Sequence, residues 1–107
     1  MAIVTNNKLS RKESLKKEET IELEQQLAKL EEDIRRLKIE FDIFFNGAVK
    51  VAPLKTKARL DSQIKRIADN RNMTFAQRYF FNTLVSRYTA YRELWRRGMK
   101  LKGEEIY

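Results

Sequence analysis

Residues 23–44 read LEQQLAKLEEDIRRLKIEFDIF, and their apolar positions decide the fold. Leu23, Leu27, Leu30, Ile34, Leu37, Phe41 and Phe44 are separated by steps that alternate four and three. That spacing keeps one helix face apolar and is the seam of a helix made to pack on another helix. Placing Leu27, Ile34 and Phe41 at heptad position a puts Leu23, Leu30, Leu37 and Phe44 at d. The run covers about three heptads, near the lower limit for a coiled coil. Asp33 and Lys38 occupy flanking positions suited to pairing across a parallel dimer. Glu24 and Glu31 meet no such cation. The charges therefore leave strand orientation open, and leave a second copy and a heterologous helix equally open as partner. Leu23, Leu27, Leu30, Ile34 and Leu37 are the expected oligomerisation seam.

Outward from this stretch, the pattern changes on both sides. Toward the C-terminus, Ile39, Phe41, Ile43, Phe44 and Phe45 make more than one face apolar, so these turns are expected to enter a core while the N-terminal turns project. Asn46-Gly47 ends the helix, since glycine takes the left-handed conformation at little cost. Toward the N-terminus, Thr20 is the expected cap, giving a helix of about 39 Å to Phe45. Residues 1–19 are polar, and Ile3, Val4, Leu9 and Leu15 show no helical period, which predicts a disordered arm.

Residues 48–53 read as an extended connector with no second strand to pair with. Pro53 stands where a helix can start. Leu54, Ala58, Leu60, Ile64, Ile67 and Ala68 form the apolar stripe of a second helix, and Lys55, Lys57, Arg59, Lys65 and Arg66 occupy its other face. Residues 69–72 are turn chemistry. Thr74 and Gln77 spell a capping box that opens a third helix, which Gly98 is expected to stop. Its stripe is Phe81, Leu84, Tyr88, Tyr91 and Trp95, with Phe75, Tyr79 and Phe80 adding breadth near the start. The expected fold class is all-α: a coiled-coil helix over residues 20–40 runs into a small three-helix domain over 41–100, with a frayed tail over 101–107.

The composition excludes several function classes. The 107 residues contain no cysteine and no histidine. Disulfides, thiolate chemistry, the commonest metal ligand and the commonest general base are therefore absent. Only three glycines occur, with no phosphate-cradling loop. No enzyme, cofactor, metal or small-molecule substrate is expected. Residues 1–5 are too short and soon too polar for a signal peptide, and no apolar run approaches the roughly 18 residues of a membrane span. A cytoplasmic protein with no membrane partner is the expectation.

Charge is uneven along the chain. Residues 20–44 carry four basic and seven acidic groups, whereas residues 45–107 carry fourteen basic and five acidic groups, net +9. Such a field favours anionic partners. Lys55, Lys57, Arg59, Lys65, Arg66, Arg92, Arg96 and Arg97 are the candidate anion or nucleic-acid contacts. The bland reading is a solvated face, because no recognition motif accompanies them. Seven aromatics lie from Phe75 to Trp95. They read either as a stacking platform for bases or as core, and the helical period favours core. Asp42, Asp61, Asp69 and Glu93 are expected to anchor Arg78, Arg87 or Arg92 and tie the helices together.

Residues 41–47, the run Thr74 to Tyr79, Arg87-Tyr88 and Leu94 to Arg97 together resemble a small all-helical domain of uncharacterised bacterial proteins, including the C-terminal domain of myxobacterial regulators. The resemblance spans roughly residues 34–100 and implies an all-helical fold and a regulatory or interaction role. It transfers no functional residue. The expected function is a non-enzymatic protein–protein interaction module, self-associating through its heptad helix and presenting a basic face. The alternative is a nucleic-acid-binding protein using the Lys/Arg-rich face of residues 50–102.

Overall fold

A computed structural model describes the backbone of residues 7–103, and the side chains of Leu15 and of residues 17–103. Among the described residues there are three helices: α1 (Asn7–Phe45), α2 (Leu54–Ala68) and α3 (Phe75–Leu101). No strand occurs among the described residues. The fold is all-α, as the periodicity requires, and no helix among the described residues is long and apolar enough to cross a membrane.

The helices run up, down and up. Gln77 Nε2 on α3 donates to the Thr20 carbonyl on α1 at 3.4 Å. Further along, Arg87 faces Glu31 at 3.8 Å, and the Trp95 ring lies on Phe41 with centroids 4.2 Å apart. Each step along α3 meets a later part of α1, so the two are parallel. α2 returns antiparallel to both, as a short turn at each end demands.

The apolar ridge of α1 is the centre of the core. Leu23, Leu27, Leu30, Ile34, Leu37, Phe41 and Phe44 are between 0 and 4% exposed within a single chain. Leu60 and Ile67 of α2, with Phe81, Leu84, Tyr88, Trp95 and Met99 of α3, complete the cluster. The expected oligomerisation seam is thereby revised. Leu23, Leu27, Leu30, Ile34 and Leu37 meet helices of their own chain, and a dimer built on them would have to displace α2 and α3. The neighbouring charges are also spent locally: Asp33 pairs with Lys29 at 3.1 Å, and Lys38 with Asp42 at 2.7 Å.

α1 starts at Asn7, well before Thr20, so Thr20 is an interior residue rather than a cap. Residues 7–19, expected as part of a disordered arm, are helical; residues 1–6 lie outside the described residues. The reason is propensity. Lys, Glu, Arg and Leu are good helix formers, and turns nucleated by the packed part of α1 propagate at little cost without an apolar period. Ahead of Leu23 no described residue of α1 is buried. What projects beyond the core is thus the charged segment, not the ridge.

The ends of the other elements follow local chemistry. Gly47 has φ +87°, and its N–H donates to the Phe44 carbonyl at 3.0 Å, closing α1 as expected. Gln77 N–H donates to Thr74 Oγ1 at 3.1 Å and Thr74 N–H to Gln77 Oε1 at 2.9 Å, so the capping box forms. Gly98 does not stop α3, which continues to Leu101. Its role is close approach: a Cβ there would stand 2.7 Å from the edge of the Phe45 ring. Lys102 caps the helix, and Gly103, whose φ is +80°, follows it. Of the expected frayed tail, Leu101 is helical and residues 104–107 lie outside the described residues. In α2, Leu54, Ala58 and Ala68 are exposed, while Lys57 takes a place in the buried stripe.

Candidate functional site

α2 packs with Leu60 and Ile67 inward, and this fixes which cations face out. Lys55, Arg59, Ser62 and Arg66 follow one another at four, three and four residues, so they form one stripe along the outer side. Lys65 lies beside it. All four cations are exposed, and no carboxylate pairs with any of them among the described residues. The only acid inside α2 is Asp61, which faces α3 and bonds the Tyr88 hydroxyl. From Lys55 to Arg66 the stripe extends about 16 Å along the axis. Such a row fits an extended anion better than one small phosphate. Lys65 and Arg66 also occupy the last turn, where positive charge complements the helix dipole.

The other four expected contacts are differently placed. Lys57 is 7% exposed, and its ammonium donates to Asp61 Oδ2 at 3.0 Å. Asp61 Oδ1 in turn accepts the Tyr88 hydroxyl proton at 2.6 Å, which stitches α2 to α3. Lys57 is therefore structural and does not join the exposed stripe. Arg92 lies over the Tyr88 ring, 5.9 Å from its centroid. Arg96 and Arg97 share Glu93, at 2.8 and 3.7 Å. The Arg96 hydrogen bond holds the Glu93 carboxyl below the usual carboxylate range and raises the Arg96 guanidinium. These surface pairs are worth little and leave a net positive charge, so Arg96 and Arg97 are only partly neutralised.

The expected anchoring of arginines by acids is realised with other partners. Asp61 serves Lys57 and Tyr88, Asp42 serves Lys38, Arg87 meets Glu31, and Arg78 donates to the Asn70 carbonyl at 3.1 Å. An acid four residues after Lys57 is a legible i,i+4 signal; that Lys57 itself is buried is not.

Two faces of the α1 and α2 surroundings carry acids. A shallow groove of about 250 Å³ places Arg59 with Arg36, Glu40 and the Lys29–Asp33 pair. A wider groove of about 890 Å³ between α1 and the α2–α3 connection is lined by Glu19, Glu22, Asn70, Asn72 and Met73. No cluster of acids able to hold a metal ion occurs among the described residues.

The seven aromatics divide. Phe81, Tyr88 and Trp95 are buried, Phe80 and Tyr91 half-buried, and Phe75 and Tyr79 exposed. The core reading therefore holds for most of the run and fails for the first two. The phase contained the signal. At 100° per residue, Phe75 lies roughly 120° and Tyr79 roughly 160° around the helix from Phe81.

No protein-family model, curated protein or solved structure matches the chain. The site is accordingly read from its own geometry.

Proposed function

We propose that this chain is a non-enzymatic binding module whose working surface is the outer side of α2, and whose partner is an extended polyanion, nucleic acid first. One observation carries the reading. Lys55, Arg59, Lys65 and Arg66 are exposed on one helix with no carboxylate partner among the described residues, whereas Lys29, Arg35 and Lys38 of α1 are each paired with an acid. Unneutralised cations in a row release counterions when they meet phosphates, and that release drives binding.

The test is a titration of labelled single- and double-stranded oligonucleotides at about 50 and about 200 mM salt. Micromolar binding that collapses with salt is the expected result. Arg59→Ala with Arg66→Ala is expected to weaken binding to all sequences and to lower the salt slope by about two. Absence of binding at low salt overturns the proposal. Self-association through Leu23 to Leu37 requires α2 and α3 to leave α1, because they cover that ridge. A monomer in light scattering at tens of micromolar removes it.

A further inference from the structure

We propose that Phe75 and Tyr79 form a stacking platform for unpaired bases, so that the nucleic acid taken by this module is single-stranded. The inference rests on the polyanion reading of α2 and adds the class of strand. Phe75 is 90% and Tyr79 71% exposed, on a helix whose other five rings are wholly or partly buried. The two are four residues apart and so are neighbours on one helix face. Scattered exposed apolar residues need no explanation, but two adjacent rings directed at water form a surface.

The surroundings point to the ligand. Between Ser62 and Tyr79 the sequence has one acid, Asp69, against Lys65, Arg66, Arg71 and Arg78. Lys65 and Arg66 close α2, Arg71 lies in the connection, and Arg78 sits in the first turn of α3 between the two rings in sequence. Cations thus flank the rings along the chain, at the end of α2, in the connection and in the first turn of α3. Glu19 and Glu22 belong to the groove against α1, which neither ring lines.

The platform is also held in place. The Thr74–Gln77 capping box sets the first turn of α3, Gln77 ties it to α1, and Arg78 ties it to Asn70. Rigid aromatic faces among cations are how single strands are bound without sequence preference: phosphates are taken electrostatically and bases stack on the rings. Duplex bases are already stacked and offer no free face. The same rings would therefore discriminate against double strands.

The test uses the full chain with three fluorescent probes of equal length: a mixed-sequence single strand, its duplex, and an abasic strand that keeps the phosphates. The wild type is expected to prefer the normal single strand over the abasic one by at least about tenfold. Phe75→Ala with Tyr79→Ala is expected to erase that preference, leaving duplex affinity within about twofold and the salt slope unchanged. Phe75→Tyr is expected to retain it. Arg59→Ala with Arg66→Ala is expected to weaken all three probes together. Ring variants that bind the single strand like wild type, or that lose strand and duplex equally, overturn the platform while the basic face stands. Wild-type protein that binds none of the probes overturns the basic-face reading and the platform with it.

Discussion

Phe81, Tyr88 and Trp95 on one side of α3, and Phe75 and Tyr79 on another, are similar side chains in opposite surroundings. The inner rings meet α1 and α2. Trp95 stacks on Phe41 at 4.2 Å and takes Tyr88 edge-on at 5.9 Å, while the Tyr88 hydroxyl reaches Asp61. The outer rings are directed at water, above helix turns held by capping and backbone bonds that involve neither ring. The lesson is that aromatic content says little about role until the phase of each ring is known. Rings in phase with the ridge of α1 hold the bundle; rings out of phase leave stability alone and are free to bind.

The strongest challenge to that division starts from α1, on which the inner rings depend. Leu30 and Ile34 are both 0% exposed. Leu30→Asp with Ile34→Asp places unpaired carboxylates in the core, at several kcal/mol each, enough to abolish folding of a small domain. Loss of the cooperative thermal transition is expected. A folded monomer would mean instead that the ridge faces outward to a partner.

Next in size is a direct contrast between the two sets of rings. Trp95→Ala is expected to cost about 3–5 kcal/mol in denaturant unfolding, from lost transfer energy and the cavity left behind. Phe75→Ala is expected to stay within about 0.5 kcal/mol of wild type, as for other exposed positions without special contacts. Comparable losses at both sites would erase the distinction between inner and outer rings.

A smaller change tests the polar end of the inner set. Tyr88→Phe keeps the ring and removes the hydroxyl that donates to Asp61, and is expected to cost about 1.5–3 kcal/mol, the range for a hydrogen bond to a charged group. No loss would mean that ring packing alone joins α3 to α2.

The smallest effect concerns the surface pairs. Arg35 lowers Glu32 and Arg96 lowers Glu93, in each case mainly through the side-chain hydrogen bond, from an ordinary value of 4.5. A depressed carboxylate contributes above its unfolded value and loses that contribution as pH falls through its folded value. These pairs are therefore expected to leave thermal stability flat between pH 7 and 5, with a slight loss only below about 4.5. Arg96→Gln should remove the Glu93 part of that acid-side loss.

Much of the architecture was legible because it depends on local rules. The spacing of Leu23 to Phe44, Gly47 after Phe45, and Thr74 with Gln77 each follow from residues within a turn or two of one another. Residues 7–19 are helical without an apolar period, because propensity and continuation from the packed turns of α1 suffice. Of the candidate contacts, Lys55, Arg59, Lys65 and Arg66 stand on the expected outer face. Lys57 does not: its ammonium pairs with Asp61 of its own helix, and that carboxylate is fixed by the Tyr88 hydroxyl from α3, a contact no spacing along one helix encodes.

The order of residues thus settled that three helices form, roughly where they end, and that α2 is rich in positive charge. These depend on backbone sterics, capping and side-chain period, all of short range. Packing settled which neighbour the ridge of α1 meets, which lysine goes inside, and which rings remain in water. An apolar ridge is satisfied equally by a second copy, a foreign helix or its own chain; only the assembled bundle, with α2 and α3 laid along it, shows that the chain covers the ridge itself.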